Sequence, residues 1–268
     1  MSTPIVVCGA AGRMGRAILH LIPETPGARL AGAVEVPGHP ALGRDAGDLA
    51  GVGNLGVEIS ADLGALLKPG TVALDFTSAA AAVDHLEIAV AKGAAIVIGS
   101  TGFDETQQAD LDRLAPQTRC VISANMSVGI AVLHRLLSTA AAALGPGFDI
   151  EIVEMHHRLK VDAPSGTALA LARTAAEATG RSVQTDLRFG RHGVVGKRSD
   201  EEIGVVALRG GDVVGDHTIV FAGLGERLEL THRAHTRDCL ARGALRAALW
   251  VVGQPPGRYS IHDVLGMK

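Results

Sequence analysis

The sequence predicts an α/β protein in two parts: a doubly wound parallel sheet, and an α+β domain with a largely antiparallel open sheet. Residues 4–18, PIVVCGAAGRMGRAI, run from an apolar strand through Gly9, Gly12 and Gly15 into a helix. Strand-like and helix-like runs then alternate to residue 123, the pattern of βαβ units. Beyond residue 148 come five strand-like segments with one helix among them.

The opening glycines permit a tight turn and let backbone approach a pyrophosphate, which the following helix N-terminus then holds. Their spacing, G-x-x-G-x-x-G, departs by one residue from the usual dinucleotide fingerprint, so its weight comes from its place between strand and helix. A second strand, Arg29 to Val34, ends on Glu35. A carboxylate there, about 20 residues past the glycines, is placed to grip the two ribose hydroxyls of an adenosine. Together these features read as a Rossmann dinucleotide site.

Further strands are expected at Val72 to Phe76, Ala95 to Gly99 and Arg119 to Ser123, with helices at Ala79 to Lys92 and Glu105 to Leu114. In such sheets ligands bind beyond the carboxyl ends of the strands. Those ends carry Phe76-Thr77-Ser78, Gly99-Ser100-Thr101-Gly102 and Ser123-Ala124-Asn125-Met126, small or polar residues suited to a nicotinamide ring lying close to backbone. Ser78 reads better as the start of a helix than as a ligand contact.

A helix from Ser127 to Leu144 is ended by Gly145-Pro146-Gly147, and strands follow near 148–155, 185–190, 203–209, 213–223 and 226–233. The segment 151–167, EIVEMHHRLKVDAPSGT, gathers His156, His157, Glu154, Arg158, Lys160 and a Ser165-Gly166-Thr167 turn. The apolar alternation of Ile150, Ile152 and Val153 makes its start a strand, and Pro164 with Ser165 opens the helical run that stops at Gly180. A helix start with hydroxyls and no bulk at Gly166 suits a carboxylate or phosphate. Lys160 adds positive charge, and an imidazole is the natural proton donor near neutral pH. The plainer alternative is that Ser165 only caps the helix, Lys160 is solvated and the histidines are strand-end residues. Both histidines serve one pocket only if the backbone leaves strand geometry after them. The combination of groups favours the functional reading.

Composition fits a soluble globular protein in which any anionic ligand would be met by a local positive pocket. The net charge is −3 with scattered arginines, which excludes a nucleic-acid stripe, and no uncharged apolar stretch reaches the length that spans a bilayer. The length of 268 residues allows about two domains. Cys8, Cys120 and Cys239 are far apart without a CxxC pair or a charged leader, so reduced thiols and a cytoplasmic location are expected. Eleven histidines invite a metal reading, but neither His156-His157 nor His232 with His235 belongs to a ligand motif, and no metal is expected.

At these residues the chain resembles the 4-hydroxy-tetrahydrodipicolinate (dihydrodipicolinate) reductases of diaminopimelate and lysine synthesis. The carriers are GAAGRMGR at 9–16, DFT at 75–77, GSTGF at 99–103, SANMSVG at 123–129, EMHHRLKVDAPSGTA at 154–168 and RGGDVVGDHT at 209–218, with GERLELTHRA at 225–234 and RGALRAALW at 242–250. The resemblance runs the full length. It implies hydride transfer from NAD(P)H to a cyclic unsaturated dicarboxylate, giving tetrahydrodipicolinate. It casts His156 as proton donor and Lys160 as its partner at the substrate, with His157 and the Ser165, Gly166 and Thr167 turn holding a substrate carboxylate. Gly9, Ala10, Ala11, Gly12, Arg13, Met14, Glu35, Gly99, Ser100, Thr101, Ser123, Ala124, Asn125 and Met126 match cofactor-binding segments. A homotetramer built through the second domain's sheet is implied too. So is a domain division of 1–127 with 237–268 for the dinucleotide, and 128–236 for substrate and oligomerisation, hinged near 127 and 237.

One departure bears on nucleotide choice. Val36 follows Glu35 where many relatives carry an arginine for the 2′-phosphate of NADP, so NADH is favoured over NADPH, with Arg13 or Arg16 as possible compensation. Leu159 replaces a histidine of some relatives and Ser100 a frequent threonine; neither removes a proposed catalytic group. The competing readings are a reductase of another cyclic imine or enamine, and a non-catalytic dinucleotide sensor, which the His/Lys/SGT set argues against.

Overall fold

The computed structural model describes residues 2–267, and the chain divides into two units: one up to Val128 together with Arg237 onward, the other Gly129–Thr236. In chain order the first unit begins β1 (Thr3–Cys8), α1 (Arg13–Leu21), β2 (Ala28–Val34), α2 (Ala46–Ala50), β3 (Ile59–Ser60) and α3 (Leu63–Leu66). It continues β4 (Val72–Asp75), α4 (Ala79–Lys92), β5 (Ala95–Ile98), α5 (Glu105–Leu114) and β6 (Arg119–Ile122). The second unit holds α6 (Val128–Leu144), β7 (Asp149–His156), α7 (Gly166–Thr179), β8 (Leu187–Phe189), β9 (Ile203–Arg209), β10 (Gly215–Ala222) and β11 (Arg227–Ala234). Then α8 (Asp238–Val251), β12 (Gly257–Tyr259) and α9 (Ile261–Val264) complete the first unit.

In the first unit seven strands pair in parallel in the order β12-β6-β5-β4-β1-β2-β3. The central strands VALD and AIVI are buried throughout, the composition a parallel strand needs when helices cover both faces. Order reverses beside β1, and that switch point puts the β1–α1 turn and the end of β4 at one edge. Side chains of Val6, Ala73, Ile96, Leu86 and Leu111 join in one core cluster. Gly15 permits the approach of α1 to the turn before it: a Cβ there would lie 2.1 Å from the Gly9 carbonyl oxygen. β3 and β12, of two and three residues, were not expected from the sequence, being too short to show an alternation.

The second sheet is open, in the order β11-β10-β7-β9-β8, but mixed rather than largely antiparallel. β10 pairs antiparallel with β7 and β11, whereas β9 pairs parallel with both β7 and β8. The cause is connectivity: α7 is a crossover that returns the chain in β7's direction, and the long 190–202 segment does the same for β9. One face of the sheet packs under α6 and α7, with Ile152, Ile219 and Phe221 of the strands meeting Leu137 and Leu171 of the helices. The 128–147 stretch is by length and composition apolar enough to cross a membrane, though Arg135 interrupts it. Ile130, Leu133, Leu137 and Ala141 of α6 instead join this core.

Candidate functional site

Each unit carries one cluster of functional groups. In the first, the chain leaves β1 at Gly9, whose φ of +72° belongs to the left-handed region glycine tolerates. The N–H groups of Gly9 and Ala10 donate to Val34 O at 3.0 and 3.1 Å, which fixes the turn against the end of β2. Glu35 then accepts from the Ala11 N–H at 2.7 Å and from its neighbour Val36 at 3.2 Å. Gly12 caps α1 without a side-chain oxygen, so the first-turn amides of Arg13 and Met14 have no side chain capping them. A cavity of about 380 Å³ is lined here by Gly9, Gly12, Glu35, Val36, Thr77 and His85, among others. An uncapped helix start, a glycine turn and an oriented carboxylate fit the pyrophosphate and ribose of a dinucleotide.

Several expected cofactor residues turn out to be structural in their side chains. Ala10 and Met126 are buried, and a Cβ at Gly243 of α8 would stand 1.7 Å from the Met126 carbonyl oxygen. Gly99 is glycine because the Phe76 ring occupies its Cβ position, 2.1 Å away. Ser78 caps α4 by accepting from the Ala81 N–H, as read from the sequence. Ser123 Oγ donates to the Asn125 carbonyl at 3.1 Å, and Asn125 Oδ1 accepts from the Ser127 N–H at 2.9 Å, shaping that loop. Thr101 and Ala124 are exposed, while Ser100 is buried and donates to Asp75 at 2.8 Å. Arg13 and Arg16 are exposed, and Arg16 donates to Ala11 O at 2.9 Å.

His85, which lines this cavity, and the Asp75 carboxyl bonded to it were not singled out from the sequence. Asp75, fully buried at the end of β4, accepts from Thr77 Oγ1 and Ser100 Oγ and is hydrogen-bonded to His85 Nδ1. It thereby ties the ends of β4 and β5 to α4. Ligand atoms of Cys8, Asp75 and His85 lie within 4.8 Å of one another, a grouping with no motif spacing along the chain. It is held together by the Asp75–His85 bond, and burial pushes the Cys8 thiol well up in pKa, which opposes a metal-binding thiolate.

In the second unit β7 ends at His156, so His157 and the turn to Lys160 leave strand geometry, the condition for both imidazoles to serve one place. The Lys160 N–H donates to His157 O at 3.0 Å, and the Gly210 N–H to His156 O at 3.0 Å. Lys160 Nζ lies 2.7 and 2.9 Å from the two carboxylate oxygens of Asp162, and this holds the Asp162 carboxyl below its usual pKa. His157 Nδ1 is buried without a hydrogen-bond partner among the described residues. Ser165 Oγ caps α7 by accepting from the Ala168 N–H at 3.1 Å; its hydroxyl is buried, so it shapes the helix start while Gly166 stays exposed.

Beneath these groups lies Glu154, fully buried. Its oxygens accept from Arg209 Nη1 and Nη2 at 2.9 Å each and from the Ser165 N–H at 3.0 Å, and Oε2 lies 2.5 Å from His156 Nδ1. Burial alone would raise its pKa; Arg209, His156 and the Ser165 amide outweigh that and hold it low. Arg209 also donates to Asp162 O at 2.5 Å, so one network runs from the histidine through the helix cap to the loop carrying Lys160. His217, with its Nε2 3.2 Å from Ser165 Oγ and its ring edge-on to His156 at 5.3 Å, completes the cluster. Glu154, Arg209 and His217 lay in quoted motifs but were not assigned to the site.

Burial, and then the His156 charge, lower the His217 pKa from 6.5 to about 4. The depressed value gives a stability contribution that is complete above pH 6.5 and disappears as pH falls toward 4, where the unfolded chain takes up the proton first. The loss is about 3 kcal/mol. Urea midpoints of the wild type should therefore fall over that window more steeply than those of His217→Gln. Parallel slopes would refute the assignment.

Two family models match, described as the N-terminus and the C-terminus of dihydrodipicolinate reductase, over residues 3–126 and 129–265. A 4-hydroxy-tetrahydrodipicolinate reductase of Syntrophobacter fumaroxidans is 51% identical, over 98% of each chain. That of Anaeromyxobacter dehalogenans is 52% identical, over 99% of this chain and 98% of the relative. Among solved structures, the dipicolinate-bound dihydrodipicolinate reductase of Paenisporosarcina sp. TG-14 superposes with a TM-score of 0.75 at 25% identity, covering 97% of this chain and 98% of that one. An amine dehydrogenase of Mycobacterium smegmatis shares the fold at a TM-score of 0.59, with 17% identity over 97% of this chain and 95% of its own.

Proposed function

Because the chain belongs to the dihydrodipicolinate reductase family, we propose that it reduces 4-hydroxy-tetrahydrodipicolinate to tetrahydrodipicolinate with a hydride from NAD(P)H, a proton and overall loss of the 4-hydroxyl as water, in diaminopimelate and lysine synthesis. The observation that carries this reading is the Glu154 network, which joins His156, the α7 start and the Lys160 loop in one hydrogen-bonded unit. A dihydronicotinamide would supply the hydride when bound. Lys160 stabilises the negative charge that builds on the substrate, exchanging its Asp162 partner for the substrate's carboxylate, and His156 delivers the proton. His157, Gly166 and Thr167 hold a substrate carboxylate at the start of α7. The first unit is the dinucleotide domain, with Glu35 gripping the adenosine ribose, and the second is the substrate domain.

Oxidation of NADH, followed with freshly generated 4-hydroxy-tetrahydrodipicolinate, tests this directly. No turnover with that substrate, or faster turnover with an unrelated cyclic imine, would overturn the reading.

The nucleotide preference follows from Glu35 and Val36. Glu35 presents a carboxylate where a 2′-phosphate would sit, and the exposed apolar Val36 offers it no partner. NADH is expected to be used at least as efficiently as NADPH in kcat/KM, compared at equal ionic strength because contacts from Arg13 or Arg16 would be screened by salt. Val36→Arg should improve NADPH selectively by supplying a forked, permanently charged partner. A wild-type preference for NADPH of about tenfold, equivalent to 1.4 kcal/mol, would show that other groups read the phosphate.

The cytoplasmic homotetramer belongs to the same proposal. Apolar Leu208 and Leu228 stand exposed on the second sheet, which supports assembly through it, and the buried thiols of Cys8 and Cys120 suit a reducing compartment. Light scattering should give four chain masses; a monomer in solution would contradict it.

A further inference from the structure

Glu154 makes four close polar contacts, and three of the partners are donors that cannot accept: the two Arg209 nitrogens and the Ser165 amide. The fourth is His156 Nδ1. An ionised carboxylate only accepts hydrogen bonds, so the imidazole has to be the donor at that nitrogen. We propose that Glu154, clamped by Arg209, is a positioning residue that holds His156 as its Nδ1–H tautomer and leaves Nε2 as the nitrogen that exchanges protons with substrate.

The inference rests on the reading of His156 as proton donor and adds which nitrogen acts and what fixes it. In the imidazolium both nitrogens carry protons. On donation the Nε2–H bond breaks, its electron pair stays on nitrogen and the proton passes to the substrate; the ring is left as the Nδ1–H tautomer that Glu154 already favours. Nε2 returns to the charged state by taking a proton from solvent. Space at that nitrogen is preserved by Gly215, where a Cβ would stand 3.0 Å from Nε2. Arg209 holds the carboxylate by a two-pronged contact, so the His156 ring plane is set by groups on β7, β9 and the α7 start together. Arg209 is 55 residues from Glu154 in sequence, which is why no local motif shows the clamp.

Two measurements test it. Nitrogen-15 NMR of the imidazoles in the wild-type protein should find neutral His156 protonated at Nδ1; an Nε2–H tautomer would overturn the proposal without any substitution. Glu154→Gln replaces the ionised acceptor with an amide of similar size, and should lower kcat at least about tenfold while leaving NADH affinity unchanged. In a His156→Gln background the same substitution should add less than about twofold, because it acts through a ring no longer present. An equal loss of kcat in both backgrounds would make Glu154 merely structural and sink the inference. Should Glu154→Gln not fold with Arg209 left uncompensated, Glu154→Gln with Arg209→Gln removes both charges and is read by the same criteria. A slow His156→Gln with a fully active Glu154→Gln would refute this proposal alone, whereas an undiminished His156→Gln would refute the proton-donor reading beneath it.

Discussion

His156→Gln should lower kcat by about 10² to 10⁴, the range over which positioned general acids act. NADH affinity should stay as it is, because His156 ends β7 in the second unit while the glycine turn and Glu35 belong to the first. Glutamine fills similar space and can still hydrogen-bond to Glu154, so the Arg209–Glu154 contact remains satisfied and the fold is spared. Steady-state rates with titrations of NADH separate the outcomes. An unchanged kcat would remove His156 from the chemistry, and a matching loss of NADH binding would point to damage instead. Combined with Lys160→Ala, the loss should be less than the product of the two single effects if both groups serve one transition state.

The first unit was legible in the sequence because its signals are local. A buried strand, a glycine turn and a helix occupy consecutive residues 3–21, and the caps that delimit α4 and α7, Ser78 with Gly93 and Ser165 with Gly180, stand next to what they cap. Helices expected at 79–92 and 105–114 have those bounds in the structure. The glycines carry different meanings that sequence alone did not separate: Gly9 adopts a positive φ, Gly15 admits a backbone, and Gly99 admits a phenyl ring.

What remained hidden depends on pairing across the chain. A strand's neighbours are not written in its own residues, so the parallel insertion of β9 between β7 and β8 could not be read from five apolar runs. Candidate site residues divide the same way. His156, His157, Lys160 and the Ser165–Thr167 turn announce themselves by closeness in sequence, whereas Arg209 and His217 reach Glu154 and Ser165 across 55 and 52 positions. Asp75 looked like the end of an apolar strand; only the fold shows His85, Thr77 and Ser100 converging on it. Buried carboxyl groups of this kind are costly unless satisfied, which is why each is found at the centre of several hydrogen bonds.

The start of α7 provides the second large effect. Gly166 is exposed, and a Cβ built there meets no atom within 4 Å, so Gly166→Val places its bulk in open space without disturbing the core. That open space is where a substrate carboxylate would approach the first-turn amides and the positive end of the helix. Hydrogen bonds to a charged group contribute about 1.5–3 kcal/mol each, so loss of one or two corresponds to a rise in KM of about 10- to 10⁴-fold. Thr167→Val, which deletes only a hydroxyl, should sit at the lower end. The Ser165 cap is untouched by Gly166→Val, since its Oγ bonds to Ala168, and the thermal stability of that variant should therefore follow the wild type. The measurement is KM for substrate beside the dissociation constant for NADH in each variant. A selective rise in KM assigns the turn to the substrate carboxylate. Equal weakening of NADH would assign it to the nucleotide, and an unchanged KM in Gly166→Val would place the carboxylate elsewhere.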